Sequence, residues 1–383
     1  MVKANCQNCG GCALRELDES TYRQTKENDF KRTLAQLKET SPAYDDPIFI
    51  ADGSRRRANM SFALEKNIVK LGFNEAASHN LIDIEICPML DSVINSFLPI
   101  FHHFLSEFSQ IPITIKNKKK IITTQIRQGI VQILHADNGL DVLLEIDTAP
   151  SLEHRLLVAD FVNNLPDICR FSWQIKSSPA ETVVEKISPE LHIANCVIKI
   201  PQGVFLQASK TAETLMIEKV LNYMGNTRGK IADLFCGLGT FTYPLAKQYG
   251  NEIISVDSFA PSLKGLEQAL HFNQIHNVTV INKNLFKYPL DEADLKGVKA
   301  LVIDPPRAGA HDQCREIVKI PADKRPEKII FVSCNPKTFV YDAELLIAAG
   351  YRFERVTLVD QFVYSKHEEL IALFTFNPKD KGE

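Results

Sequence analysis

"DLFCGLGTF", residues 233–241, is an apolar run that stops at two glycines and then opens into a helix-compatible stretch, and its reading decides the fold. Gly237 and Gly239 let the backbone turn tightly and approach a ligand, while the helix that follows starts with unpaired amides. Alone, such a turn is a weak signal. Its neighbour strengthens it: "IISVD" ends at Asp257, about twenty residues on, where a carboxylate accepts both hydroxyls of a ribose. The turn is neither G-x-G-x-x-G nor a phosphate-binding loop, and it lacks the lysine that holds a triphosphate. Asn284, after the next strand in "VTVINKNLF", is placed to face an adenine edge, and Gln207 in "PQGVFLQAS" leads into the helix before the first strand.

Outward from this turn the chain alternates strand and helix. "KIADLFCG", "EIISVD", "VTVIN", "KALVIDPP", "KIIFVSC", "FERVTLVD" and "ELIALFTF" are the strands, and "FTYPLAKQY", "APSLKGLEQALHFNQI", residues 312–319 and "PKTFVYDAELLIAAG" the helices. This predicts an α/β, doubly wound, Rossmann-like domain over 201–383, with ligands at the carboxyl ends of its strands. Residues 46–200 read differently. "RRANMSFAL" and "IVKLGFNE" form a hairpin pattern, two longer strands meet at Asp137-Asn138-Gly139, and helical stretches lie at 89–108 and 152–164, so a central α+β domain with an antiparallel sheet is expected. Residues 1–45 hold a cysteine cluster and an amphipathic helix over 16–38.

The chain has 383 residues, 45% hydrophobic, enough for two cores. There is no long apolar run and no signal-peptide profile, which predicts a cytosolic protein without a membrane partner. A net charge of −3 does not mark a nucleic-acid binder. If RNA is the partner, basic clusters such as Arg55-Arg56-Arg57 and Lys116 with Lys118-Lys119-Lys120 must carry the phosphate contacts. A monomer is expected.

Two further strand ends carry reactive residues. In "VIDPPRAG", Asp304 is followed by two prolines that stiffen the exit and aim Asp304 and Arg307. A similar box serves enzymes that methylate exocyclic amines of bases, but there an aromatic residue follows the prolines, where this chain has Arg307. In "IIFVSCNPKTF", Cys334 ends the next strand. A thiolate at such a place suits carbon methylation of a pyrimidine, because its addition to C6 makes C5 nucleophilic and a base then removes the C5 proton. "VDQFVYSKHEEL" offers Asp360, His367, Glu368 and Glu369 as bases or orienting groups.

Taken together, "FLQAS", "DLFCGLGTF", "DPPRAG", "IIFVSCNPKT" and "DQFVYSKHEE" resemble the RNA 5-methyluridine methyltransferases, within the class I S-adenosylmethionine-dependent fold. "SHNLIDIEICPML" and "RRRANMSF" extend the likeness into the central domain. The resemblance implies Cys334 as nucleophile and Glu369 as base. It also implies that Gln207, Phe235, Gly237, Asp257, Asn284 and Asp304 hold S-adenosyl-L-methionine. Val363 and Ser365 depart from the family's proline and threonine, and Glu368 beside Glu369 leaves the base open between them. With cysteines beginning at residue 6, the layout resembles the subgroup without a TRAM barrel, the 23S rRNA (uracil-747-C5)-methyltransferases. Ribosomal RNA is therefore the expected partner, with tRNA as the alternative. Amine methylation through the Asp304 box, or a non-enzymatic RNA-binding or assembly factor, are the rival readings.

"CQNCGGC" places Cys6, Cys9 and Cys12 at C-x2-C-x2-C spacing, a pattern of metal ligands, and Cys87 in "IEICPML" is the best candidate for a fourth thiolate. Four sulfurs suit zinc or an iron–sulfur cluster equally. The family resemblance implies a [4Fe-4S] cluster on Cys6, Cys9, Cys12 and Cys87.

Overall fold

The computed structural model describes residues 9–37, 40–117, 120–250 and 252–378. They form two compact units, one of residues up to Ala13 with Ala51–Leu191, the other of Leu14–Ile50 with His192–Glu383.

The second unit is built on a nine-stranded sheet. From one edge, its order runs Val278–Asn282, Ile253–Asp257, Lys230–Leu234, Val298–Ile303, Lys328–Ser333, Glu369–Thr375, Arg352–Asp360, with the short strands Ala43–Tyr44 and Ile48–Phe49 pairing with the last. The strands are parallel except Glu369–Thr375, which is antiparallel to both neighbours. That reversal has a consequence for chemistry: it brings the first residue of the strand, Glu369, to the end where its parallel neighbours finish. Leu370 pairs with Ser333, and Glu369 with Val359.

The inner strands read as unbroken apolar runs because both faces are covered. Successive residues alternate between two cores. Ala232, Leu234, Leu301, Ile303, Ile329 and Phe331 join the side chains of helices His311–Lys319 and Pro336–Ala348. Ile231, Ala300, Val302, Ile330 and Val332 join those of Lys210–Met224 and Thr242–Tyr249. The chain therefore winds both ways from Lys230–Leu234, and the order reverses between that strand and Val298–Ile303, the point where α/β sheets bind ligands.

The first unit carries a seven-stranded sheet in the order Glu181–Glu185, Ile168–Ile175, Gly139–Ile146, Gln128–Ala136, Arg57–Glu65, Ile68–Asn74, Leu81–Asp83. The expected hairpins are present. One pair departs from the expected antiparallel sheet: Gly139–Ile146 and Ile168–Ile175 run parallel, because helix Leu152–Asn164 carries the chain back across the sheet. Helix Ser92–Gln110 places Phe97, Phe101, Phe104 and Phe108 along one face, where the first three meet the rings of Phe161 or Phe171 and Phe108 meets His154.

The unit boundaries differ from the expected 1–45, 46–200 and 201–383. Helix Glu19–Leu34 buries Tyr22, Lys26, Phe30 and Leu34 and packs on Pro336–Ala348, so it belongs to the second unit. Strand Cys196–Lys199 packs on helix Ala260–Phe272, which moves the other boundary to about residue 192. Among the described residues no helix is long and apolar enough to cross a membrane.

Candidate active site

At the first strand end the chain takes a left-handed turn at three places: Phe235 (φ 60°), Gly237 (53°) and Gly239 (96°). A positive φ is ordinary for glycine and costly for phenylalanine, and such strain gathers at ligand sites. A β-carbon on Gly237 would meet nothing within 4 Å, so the backbone there borders open space. Gly237 N–H donates to Asp257 Oδ2 (3.0 Å), and Asp257 Oδ1 accepts from the amides of Ser258 and Phe259 (2.6 and 2.8 Å). The expected ribose-binding carboxylate is thus locked onto the glycine turn itself. Below it Asp233 is buried and accepts from Thr242 Oγ1 (2.6 Å); burial lifts its carboxyl to about 7. Asn284 spends its side-chain oxygen on its own turn, accepting from Phe286 and Lys287 N–H (3.0 and 3.2 Å). The Phe286 ring lies 5.4 Å from that of Phe235.

At the fourth and fifth strand ends stand Asp304 and Cys334, both half-buried, with Glu369 beside them at 2% exposure. Cys334 and Asp304 both sense Glu369. Burial, then the carboxylates of Glu369 and Asp304, push the Cys334 thiol up to about 11, against which the Arg307 cation pulls down. Burial, then Glu369 and Asp233, hold Asp304 well above the ordinary carboxyl range. Burial lifts Glu369 to about 7, opposed by a hydrogen bond from Gln361. A half-buried thiol and a buried carboxyl group at neighbouring strand ends, the carboxyl raising the thiol, are the pair required for addition to an unsaturated ring and removal of a proton from it.

Glu368 and Glu369 part company here. Burial raises Glu368 to about 7 too, but the charges it feels are Lys26, Asp29 and Asp360, on the side of helix Glu19–Leu34. Asp360 likewise faces that helix: Lys26 Nζ lies 3.1 Å from Asp360 Oδ1, with both side chains at most 2% exposed, and Tyr22 OH donates to Asp360 Oδ2. The same lysine donates to the backbone oxygens of Ser365 (3.2 Å) and His367. One buried lysine therefore secures the loop between Asp360 and Glu369. Sequence reasoning missed it because a lysine in a polar helix reads as solvated; its one signal was the spacing Tyr22-Lys26-Phe30-Leu34 along a single face.

The prolines after Asp304 carry Arg307 across to the thiol. Its backbone oxygen accepts from Asn335 Nδ2 (3.0 Å) and Thr338 Oγ1 (3.4 Å), and its Nη2 reaches His367 Nδ1 (3.1 Å). Gln207 is buried beside the same cleft, with its Oε1 accepting from Gln361 Nε2 (3.0 Å).

The family described as "tRNA (Uracil-5-)-methyltransferase" matches residues 21–375. The chain belongs to this family. It is an S-adenosylmethionine-dependent RNA uracil-C5 methyltransferase. An uncharacterised RNA methyltransferase of Agrobacterium fabrum is 33% identical over 371 residues, spanning 95% of this chain and 82% of that protein. The 23S rRNA (uracil(1939)-C(5))-methyltransferase RlmD of Erwinia tasmaniensis is 28% identical over 380 residues, spanning 96% and 80%. In fold, the methyltransferase is similar to the Pyrococcus abyssi tRNA (uracil-54, C5)-methyltransferase, solved with S-adenosyl-L-homocysteine: TM-score 0.71, 21% identity, 96% of this chain and 86% of that one.

The remaining expected residues of the methyltransferase lie in the first unit. Cys6 falls outside the described residues. Cys9 and Cys12 are half-buried and Cys87 buried. The cysteine segment is fastened to a strand end, Gly10 N–H donating to Asn74 O (3.2 Å), and Cys87 is pinned by Asn95 through both its backbone groups (2.9 and 3.0 Å). Among the described residues no three His, Cys, Asp or Glu side chains gather to hold a metal. Of the arginine triplet, Arg56 is 4% exposed, too buried to serve as a surface phosphate contact. Lys118 and Lys119 lie outside the described residues.

Proposed function

We propose that this enzyme methylates C5 of one uridine in 23S rRNA, with Cys334 as nucleophile and Glu369 as the proton-abstracting base. The observation that carries the reading is the meeting of Cys334, Asp304 and Glu369 at one sheet end, where Glu369 raises both the thiol and Asp304, and Asp304 raises the thiol as well. Glu369 is preferred over Glu368 because it faces the thiol, while Glu368 faces Lys26. The ribosomal substrate is favoured by the RlmD relative; a tRNA uridine is the alternative.

When bound, S-adenosylmethionine supplies an electrophilic methyl group. Phe235, Gly237, Asp257, Asn284, Asp304 and Gln207 fit a nucleoside at this strand end, given the open backbone at Gly237 and the carboxylate fastened beside it. The uridine must leave its stack to present C6 to the thiol. The Cys334 thiol releases its proton to bulk water, its sulfur bonds to C6, and the C5–C6 π pair shifts to leave an enolate with a nucleophilic C5. Once C5 bears both methyl and hydrogen, Glu369 accepts the hydrogen as a proton, the C5–C6 double bond returns, and the C6–S bond breaks. Arg307 supplies the cation that offsets the Glu369 and Asp304 carboxyls beside the thiolate.

We further assign Cys6, Cys9, Cys12 and Cys87 to a [4Fe-4S] cluster with a structural or RNA-orienting role. An all-thiol donor set fits such a group, and the three described thiols belong to one unit. Iron and sulfide analysis of anaerobically purified Cys87→Ser tests this: retention of a full cluster removes the assignment. The first unit supplies RNA affinity, and the enzyme acts as a cytosolic monomer. The decisive experiment incubates the protein with labelled cofactor and RNA from a strain lacking it, then maps the labelled nucleotide. Label in a 23S rRNA uridine is expected, and none with Cys334→Ala; label in tRNA alone overturns the substrate.

A further inference from the structure

Gln361 sits between two site residues that come from distant parts of the chain. Its side chain is 3% exposed, and its one amide nitrogen donates to Gln207 Oε1 (3.0 Å) and to Glu369 Oε2. Both N–H bonds are thereby used, while the carbonyl oxygen of the same amide is buried with no hydrogen-bond partner. A buried, unpartnered carbonyl is a cost, and turning the amide over would set its oxygen against Gln207 Oε1 and against Glu369, where only a protonated carboxyl could satisfy it. The arrangement makes chemical sense when the Glu369 carboxylate is ionised and waiting for a proton. The residue before it, Asp360, is clamped by Lys26 and Tyr22, so the amide cannot drift from its place.

We propose that Gln361 is a positioning residue that holds Glu369 in its proton-accepting form and ties that carboxylate to Gln207 on the cofactor side. The inference rests on the reading of Glu369 as base. In the step it serves, the C5 proton passes to Glu369, the C5–H electron pair re-forms the C5–C6 double bond, and the C6–S pair returns to Cys334. The charged and titratable groups around Glu369 are Asp304 and Cys334 from the neighbouring strand ends, with Arg307 and Asp233 acting on those two. Neither the Asp304 carboxyl nor the Cys334 thiol helps Glu369 to ionise, which leaves the Gln361 hydrogen bond as the favourable influence at that carboxylate.

The test uses the full-length enzyme and a transcript carrying the mapped uridine, made once with uridine and once with 5-fluorouridine, whose C5 fluorine no base can remove as a proton. Gln361→Met is expected to form the covalent 5-fluorouridine adduct at near the unaltered rate. On the uridine transcript its turnover should shift alkaline by about one pH unit or more, with adduct accumulating at neutral pH and resolving when the pH is raised. Gln361→Asn, which keeps an amide but withdraws it by one methylene, should shift the profile the same way and serves if the methionine variant does not fold. An unmoved pH profile, or failure of Gln361→Met to form even the 5-fluorouridine adduct, overturns the proposal. Glu369→Gln is run beside them and should trap the methylated adduct on uridine RNA. If it turns over normally the base reading itself fails, whereas trapping with an unmoved Gln361→Met profile removes only the role of Gln361.

Discussion

In the resting protein burial keeps the Cys334 thiol, the proposed nucleophile, protonated, while Glu369, the proposed base, is balanced near neutral pH with the Gln361 hydrogen bond opposing its burial. Turnover should therefore rise as pH increases from 6 to 8, since both the thiolate and the ionised carboxylate gain population; a rate on saturating RNA that falls over this range contradicts the assignment. The same burial has a stability signature. Glu369 binds its proton more tightly in the folded protein than in the unfolded chain, so its contribution to stability is lost as pH rises from about 4.5 to about 7. Glu369→Gln removes that cost: it should raise stability at pH 8 by on the order of 1–3 kcal/mol, leave it nearly unchanged at pH 4, and abolish product release. Denaturant melts at the two pH values check this. The glycines of the turn divide in a similar way. Gly239→Ala drives a methyl to 2.7 Å from Leu266 Cδ1 and 2.9 Å from Tyr243 at a positive φ, and should destabilise the fold by about 1–3 kcal/mol. Gly237→Ala meets nothing and should cost about 1 kcal/mol, acting instead on cofactor affinity in titration calorimetry.

At the scale of elements, helix Glu19–Leu34 acts as a strap over the loop between Asp360 and Glu369. Its buried Lys26 neutralises Asp360 and ties down Ser365 and His367, and Leu14 N–H donates to Tyr364 O (2.9 Å). Lys26→Met leaves Asp360 buried without its cation and should cost about 3–5 kcal/mol. Replacing both members, Lys26→Met with Asp360→Leu, should recover part of that loss. The double-mutant cycle by urea unfolding checks it: equal losses in the single and double variants would mean the pair is not a unit.

For the whole molecule, the net charge of −3 sets the question of how RNA is held. Arg56 is buried, so Arg55 and Arg57 carry what surface charge the triplet presents. Arg55→Glu with Arg57→Glu should weaken RNA binding and flatten its dependence on salt; an unchanged slope in filter binding across a salt series would exclude these side chains from the phosphate contacts. The alternating strands and helices after residue 201 were legible because strands buried on both faces leave long apolar runs and helices show their period. The parallel pair in the first unit was not, because a strand's direction is set by its connection and leaves no mark in its composition.

Local sequence by itself determined the glycine turn, the strand-end positions of Asp257, Asp304 and Cys334, and the soft-ligand spacing of the cysteines, since each depends on residue type and short-range spacing. Only the tertiary structure decided which acidic residue of "KHEE" faces the thiol. The antiparallel strand and the buried lysine of a helix more than three hundred residues away turn Glu369 toward Cys334 and leave Glu368 with Lys26. Adjacent residues on an extended chain point in opposite directions, and which direction is the cleft is settled by packing.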